Sequence, residues 1–319
     1  ANVADAQYPL TLNTGRVRDH WHTMTRTGQS ARLSAHVTEP FLAIHPADAA
    51  RVGIQDQELV SVSSQRGDMV VRASVRDDQR QGDVFTPFHW NDQFASHGRV
   101  CALISPTVDP LSGQPELKQT PVQVEPYKRK WYGFAVTRTP LSLKGCDYWT
   151  RAKGKGVWRY ELAGDATPKN WEAWAREHLG AARGDIDWLA MSDKSAGRFR
   201  FAWLEDGKLQ GCLFITVDPK ASARFWLEAL FDGDLNRAGR MSLLAGRPTG
   251  VKETGRIVCS CFSVGLNRIK GAIESQNLTT VDEIGAALQA GTNCGSCKPE
   301  LNNLLRDSVA VGGDNRVSA

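Results

Sequence analysis

Four of the seven cysteines stand in two close pairs in the last quarter of the chain, Cys259-Ser260-Cys261 and Cys294-Gly295-Ser296-Cys297. Thiolates at such spacing are the soft donors that tetrahedral zinc or the iron of a cluster prefers. Zinc sites usually separate paired cysteines by roughly two to four residues, so that the backbone can wrap the ion. The single Ser260 is tight for that habit and suits a two-iron rhomb better. The expected occupant is therefore a [2Fe-2S] cluster that passes single electrons. Zinc, a pair of disulfides, or four inert buried thiols are the alternatives. The second pair precedes a predicted helix, whose free N–H groups and positive dipole end favour an anionic centre. Ser260, Gly295 and Ser296 would lie around the ligands as turn residues.

A second concentration of chemistry lies near the start: Thr14-Gly15-Arg16, His20-Trp21-His22-Thr23 and Thr25-Arg26-Thr27-Gly28. Gly15 lets backbone approach a ligand closely, Arg16 can fork onto a phosphate, and threonine hydroxyls with histidine rings can satisfy the edges of a heterocycle. Such a loop suits a flat, phosphorylated ligand. On residue types alone, a surface loop whose His and Trp merely pack on the domain beneath is equally good.

These residues need elements to hold them. From about 8 to 125 the chain alternates like short strands, as in Leu59-Val60-Ser61-Val62-Ser63 and Met69-Val70-Val71-Arg72-Ala73, with Gln65-Arg66-Gly67-Asp68 as a hairpin turn. His45 to Gly53 carries a proline near its start and a glycine at its end, which predicts one short helix. This unit is expected to be a β-rich barrel. From 126 to 254 the texture changes to a Trp-rich α+β segment, with eight tryptophans from Trp131 to Trp226 expected to form its core. Arg198 to Val217 reads there as a hairpin about Glu205-Asp206-Gly207-Lys208. From 255 to 308 three short helices are legible. The first carries Leu266, Ile269 and Ile273 on one face. The second is capped by Thr280 and Glu283 and is expected to stop at Gly291. The third runs from Pro299 to about Arg306. Residues 309–319 are expected to be a tail.

Composition excludes several classes. The chain of 319 residues, 41% hydrophobic and 23% charged, is globular and long enough for two or three domains. A net charge of +4 without a basic stripe argues against nucleic acid. No apolar run approaches the roughly 18 residues that cross a bilayer, so no membrane association is expected. An odd number of cysteines, four of them paired, fits a reducing compartment, and the cytoplasm is the expected location. The chain begins at Ala1 and passes almost at once into strand-like Tyr8 to Leu12, so a fragment of something longer is expected.

Two resemblances sharpen these readings. Residues 256 to 306 resemble the bacterioferritin-associated ferredoxin-like [2Fe-2S] domain, whose C-x-C and C-x-x-C pairs flank a short helical segment. That implies Cys259, Cys261, Cys294 and Cys297 as cluster ligands. Upstream, T-G-R with H-W-H-T, then H-P-x-D-A, then P-F-H-W, then D-P-x-S-G-Q-P-E-x-K follow in the order seen in the C-terminal molybdopterin-dinucleotide-binding domain of the dimethyl-sulfoxide-reductase family. That resemblance implies a double-psi β-barrel over residues 8 to 125. It also implies dinucleotide contacts from Thr14, Gly15, Arg16, His20, Trp21, His22, Thr23 and Lys118, with Phe88 near a substrate funnel. The sequence departs from the family twice. Cys101 stands where related sequences usually carry asparagine, and is otherwise a small apolar core residue. Gln57 stands where the family's turn is often glycine.

Together the two halves, joined by the Trp-rich segment, are similar to the C-terminal part of bacterial assimilatory nitrate reductase catalytic subunits. The resemblance implies reduction of nitrate to nitrite at a molybdenum bis(molybdopterin guanine dinucleotide) centre shared with an N-terminal part, which would also hold a [4Fe-4S] cluster. An electron-donor protein or reductase subunit would be the partner. No catalytic residue is expected in this chain, which should not turn over alone. The D-G-K-L-x-G hairpin of the middle segment also resembles part of the C-terminal domain of pyridine-nucleotide-linked reductases, which implies packing rather than chemistry. Two other readings stand beside nitrate reductase: a formate dehydrogenase-like molybdenum or tungsten enzyme, and a non-enzymatic iron-sulfur electron-transfer module.

Overall fold

The structure is a computed structural model that describes residues 3–181, 186–220, 226–248 and 254–313. It is mixed and β-rich, with a closed six-stranded barrel, a six-stranded antiparallel sheet, a small two-stranded hairpin and, among the described residues, seven α-helices. Among those residues no helix is long and apolar enough to cross a membrane.

The barrel is built from β1 (Leu10–Gly15), β2 (Phe41–Ile44), β3 (Leu59–Ser63), β4 (Asp68–Val75), β5 (Asp83–Pro87) and β6 (Thr120–Pro126), in the order β1-β5-β2-β4-β3-β6. β1 pairs in parallel with β5, and β2 with β4; the other neighbours are antiparallel. Alternation along the strands sends Leu10, Leu12, Leu42, Ile44, Val60, Val62, Val84 and Val122 into one core. The predicted hairpin between β3 and β4 is present, with Ser63 opposite Asp68.

The predicted short helix is α1 (Pro46–Arg51), capped by His45, whose Nδ1 accepts from Ala47 N at 3.1 Å. β2 runs antiparallel to β5, so α1 lies at the barrel rim opposite the end of β1. There the buried Asp48 carboxylate accepts from Gly82 N at 2.7 Å. The H-P-x-D-A segment therefore pins a turn at the far rim. Gln57 takes φ +68, the left-handed conformation that glycine adopts at least cost. Cys101, at the short 3-10 turn Val100–Ala102, is exposed and not a core residue.

The sheet is formed by β7 (Trp131–Thr137), β8 (Tyr148–Lys153), β9 (Trp158–Gly164), β10 (Asp187–Asp193), β11 (Arg198–Glu205) and β12 (Lys208–Thr216), in the order β10-β11-β12-β7-β9-β8. β11 and β12 are the predicted hairpin. One face packs on α2 (Trp171–His178), where Trp131, Trp171 and Trp174 meet edge to face with centroids 5.4–5.6 Å apart. The other face is covered by α3 (Trp226–Ala229) and α4 (Arg237–Ala245), through Leu227, Phe231, Leu235 and Leu243. Tryptophan thus fills one face, and aliphatic residues with phenylalanine fill most of the other.

Barrel and sheet meet at a buried ionic seam. Arg72 of β4 lies 2.5 Å from Glu39 Oε1 and 3.7 Å from Glu161 of β9, and donates to the carbonyls of Gln57 and Pro219. The Tyr148 hydroxyl of β8 donates to Glu39 at 3.1 Å.

The last unit holds β13 (Ile257–Cys259), β14 (Val264–Gly265), α5 (Leu266–Gln276), α6 (Val281–Leu288) and α7 (Lys298–Gly313). The capping box is present: Thr280 accepts from Glu283 N while the Glu283 carboxylate accepts from Thr280 N. Gly291 does not end α6. The helix stops two residues earlier at Gln289, in the left-handed conformation with φ +63. The third helix begins at Lys298 and continues to Gly313, so the expected tail at 309–319 is helical over its first five positions. Residues 314–319, like Ala1, lie outside the described residues.

Candidate metal and cofactor sites

The four cysteines converge at one end of the last unit. Cys259 ends β13 and is buried; Cys261 follows in the turn before β14 and is half-buried. Cys297 is buried immediately before α7, and Cys294 is exposed. Between this second pair Gly295 takes φ +72, which glycine adopts without strain and which turns the loop back toward α7. Lys298 N donates to Gly295 O, and Leu301 N to Cys297 O, so the second pair sits on the opening turn of the helix.

The thiols associate two by two. Cys261 Sγ lies 3.4 Å from Cys294 Sγ at the exposed side, and Cys297 contacts Cys259 in the interior. All seven cysteines are free, so neither pair is a disulfide. Among the described residues no group of three or more His, Cys, Asp or Glu side chains lies close enough to hold a metal ion. Two thiol pairs side by side match the donor set of a two-iron cluster, in which each iron takes two protein sulfurs. The surroundings fit as well. Ser260 Oγ is buried, without a hydrogen-bond partner among the described residues, between the first two cysteines. Ser296 lies 3.1 Å from Cys294 Sγ, and its hydroxyl and N–H hold the Cys294 thiol below its ordinary value. Burial, reinforced by Cys259, pushes Cys297 up to about 11.

The second site forms at one rim of the barrel. Because β1 and β5 are parallel and in register from Thr11–Asp83 to Gly15–Pro87, the loops that follow them leave the same rim. β6 is antiparallel to β1, with Leu12 opposite Thr120, which brings Lys118 to that rim too. Three motifs separated by about a hundred residues are thereby joined. The Thr14 hydroxyl donates to Leu117 O at 2.8 Å, and Lys118 Nζ donates to Thr14 O.

The predicted loop residues divide by exposure. Thr14 and His20 are buried and serve the loop itself. Arg16, Trp21, His22, Thr23 and Lys118 are exposed, with the Arg16 guanidinium 5.5 Å from the Trp21 ring centroid. Gly15 lies against Phe85; a Cβ there would fall 2.8 Å from the ring. Phe88 is half-buried, and its N–H donates to Gly15 O at 3.1 Å. A rim bearing two cations, open threonine and histidine edges and an exposed indole fits an anionic, flat ligand.

His89, which follows the expected Phe88 in the P-F-H-W motif, organises this loop. Fully buried, it accepts from Val17 N–H through Nε2 at 2.9 Å and donates from Nδ1 to His22 O at 2.6 Å. Those two bonds define the neutral tautomer and pin both ends of the Val17–His22 turn. Burial holds His89 below its ordinary pKa, and burial together with His89 pushes His20 down to about 4. Both rings are neutral near pH 7. A buried histidine directly after a P-F pair was the available signal, since such a ring needs two partners.

The two sites touch. Between Arg16, which faces solvent, and His20, which is buried, Arg18 and Asp19 turn toward the cysteine unit. Arg18 Nη1 donates to Glu300 of α7 at 2.8 Å, and Nη2 donates to the carbonyl of Val258, the residue before Cys259. His36 joins them, 2.9 Å from Asp19 and 3.5 Å from Glu300, and Arg256 pairs with Glu300 as well. Burial opposes ionisation throughout. Nevertheless the carboxylates of Asp19 and Glu300 beside it hold His36 above its ordinary value. In return His36 and the arginines hold Asp19 low and bring Glu300 to about 2.

A barrel rim that fits a flat anionic ligand, beside an end that gathers two thiol pairs, defines the class of site. Residues 10–121 match the molydopterin dinucleotide binding domain and residues 257–307 the BFD-like [2Fe-2S] binding domain, so the chain joins these two cofactor domains. Its relatives narrow this. The chain is 41% identical over 314 residues to the nitrate reductase of Klebsiella oxytoca, a match covering 97% of this chain and 35% of that protein. It is 40% identical over 121 residues to the assimilatory nitrate reductase catalytic subunit of Bacillus subtilis, covering 38% of this chain and 16% of that one. It is also 40% identical over 123 residues to the F420-dependent formate dehydrogenase 1 subunit alpha of Methanococcus maripaludis, covering 39% and 18%. The chain thus spans about a third of the Klebsiella relative's length and less of the others.

Proposed function

We propose that this chain is the C-terminal part of a cytoplasmic molybdenum nitrate reductase, completing one dinucleotide half of the active-site cofactor and holding a [2Fe-2S] relay. The division is a double-psi barrel over residues 1–125, a connecting sheet over 126–254 and the cluster domain over 255–308. The two parallel strand pairs support the barrel assignment. The observation that carries the reading is that the likeness to a nitrate reductase runs through barrel, sheet and cysteine unit alike. The likeness to a formate dehydrogenase covers only 39% of the chain.

In this reading Cys259, Cys261, Cys294 and Cys297 would hold the cluster, with Cys259 and Cys297 on its buried side and Cys261 and Cys294 on its exposed side. Arg16 and Lys118 neutralise phosphate charge, and Gly15 gives the backbone room to approach. Trp21, His22 and Thr23 meet the flat ring edges, while Thr14, His20 and His89 hold the loop in shape. Phe88 borders the route to the reacting centre. The bound groups supply two-electron chemistry at molybdenum and single-electron storage at iron. The protein binds, orients and sets the local charge. A [4Fe-4S] site and the remaining active-site residues would come from sequence upstream, and a donor protein or reductase subunit would deliver electrons from outside.

Anaerobically purified protein should contain two irons and two sulfides per chain; stoichiometric zinc without sulfide would overturn the cluster assignment. Cys294→Ser should abolish the visible iron-sulfur spectrum. Arg16→Ala should spare it and weaken pterin retention in the intact enzyme. Loss of the same cofactor in both variants would refute the two-site assignment. Nitrate-dependent turnover by the intact enzyme, set against formate oxidation, separates the two substrate readings.

A further inference from the structure

The loop that carries the proposed dinucleotide contacts also carries the main polar link to the cysteine unit. Arg16 points to solvent, Val17 N–H is fixed by His89, and Arg18 reaches across to the other site. The Arg18 side chain is only 18% exposed, and its guanidinium divides its donors between three partners: Asp19 on its own loop, Glu300 on α7, and the Val258 carbonyl on β13. β13 ends on Cys259, and α7 begins directly after Cys297. One guanidinium therefore holds both elements of the inner thiol pair against the cofactor loop.

We propose that Arg18 is a positioning residue that seats the cluster domain on the dinucleotide loop and raises the reduction potential of the cluster by placing a fixed positive charge beside its inner ligands. The inference rests on the reading that the four cysteines hold a [2Fe-2S] cluster. Reduction adds one negative charge to that site. A cation held nearby in a partly buried setting favours the reduced form, and an anion opposes it. Glu300 is the counterpart: it anchors Arg18, His36 and Arg256 and carries the opposing charge one helical turn beyond Cys297.

The pairing of opposite charges makes the role separable from a structural one. Arg18→Gln and Glu300→Gln break the same ion pair. If the pair only holds the domains together, both substitutions move the potential in the same direction or leave it unchanged. If Arg18 acts through its charge, they move it in opposite directions. Arg18→Lys keeps the charge but loses the fork, so it should hold the potential near wild type while speeding amide exchange in residues 256–261.

The test is a redox titration of the cluster-loaded 319-residue chain, followed by the electron paramagnetic resonance signal of the reduced cluster. Arg18→Gln should shift the equilibrium about tenfold toward the oxidised form, a fall of about 59 mV for one electron, and Glu300→Gln should shift it the other way. Shifts of the same sign, or an Arg18→Gln shift below about threefold, which is under half of 59 mV, would overturn the proposal. If Arg18→Gln does not fold, Glu300→Gln carries the sign: a rise supports the charge role, and a fall or no change refutes it. A wild-type chain with no [2Fe-2S] signal would instead sink the cluster reading itself, and the proposal with it.

Discussion

His89→Phe isolates what holds the cofactor loop in shape. The substitution keeps a ring against Phe88, His20 and Trp90, whose centroids lie 4.8, 5.8 and 6.3 Å away, and removes the two hydrogen bonds. The Val17 N–H at 2.9 Å and the His22 carbonyl at 2.6 Å then lose their partner. Each of these partly buried groups left without its bond costs about 1–1.5 kcal/mol, so the closed loop should lose roughly 2–3 kcal/mol. The loss is capped by the free energy needed to open the loop locally. Even about 2 kcal/mol corresponds to roughly 30-fold in an opening equilibrium. Amide exchange followed by mass spectrometry on peptides covering residues 14–28 should accelerate by at least that factor, while peptides from the sheet keep their wild-type rate. In the intact enzyme the variant should lose pterin and keep its iron-sulfur spectrum. The pH dependence is fixed in sign. Both histidines have depressed pKa values, so their support is present above about pH 6.5, and His20's is lost as pH falls toward about 4. Wild-type protection of amides at 14–28, relative to their intrinsic exchange rate at each pH, should therefore fall over that range. Unchanged exchange in His89→Phe at pH 7 would refute the view that this ring pins the loop.

Three further outcomes follow from the same geometry. Gly15→Ala forces a methyl to within 2.8 Å of the Phe85 ring and should lower the stability of the barrel by roughly 1–3 kcal/mol in thermal unfolding. The seat between loop and cluster domain should be tightest between about pH 4.5 and 6.5. Below that range Asp19 and Glu300 lose their depressed-pKa contribution as they protonate, and above it His36, facing Asp19, Glu300, Arg18 and Arg256, loses its own as pH rises through its elevated value. His36→Gln should flatten the alkaline side in exchange measurements on residues 256–300. Arg72→Met leaves Glu39 and Glu161 facing each other without their cation and should cost roughly 3–5 kcal/mol in denaturant unfolding.

Local chemistry was legible in the sequence wherever a turn or cap declares itself in a few adjacent residues. The Thr280–Glu283 capping box, the Gly207 hairpin, the proline at the start of α1 and the paired cysteines are of this kind, and each lies where its residues predict. What failed depended on competition between neighbours. Gly291 looked like the natural helix stop, but Gln289 took the left-handed position first, its N–H closing the helix on Gly285 O. The interior of the Trp-rich unit was only partly readable, since tryptophan spacing does not reveal that strand order in the sheet departs from chain order. The partners of Arg18 and Arg72 were invisible for a simpler reason: contacts across 240 or 147 residues leave no local trace. Charged residues in strands and loops look like solvent-facing positions until a second unit covers them.

The seam around Arg72 bears on how such a protein can be assembled from modules. A cut after β6 would strip the guanidinium of Glu161 and the Pro219 carbonyl, and would part Glu39 from Tyr148. The connecting sheet is thus more than a spacer between two cofactor carriers. A barrel transplanted without it would carry a buried ion pair onto an open surface, and a foreign sheet put in its place would need to supply an acidic residue and a tyrosine at matching positions. Barrel and sheet should accordingly travel together through gene rearrangements.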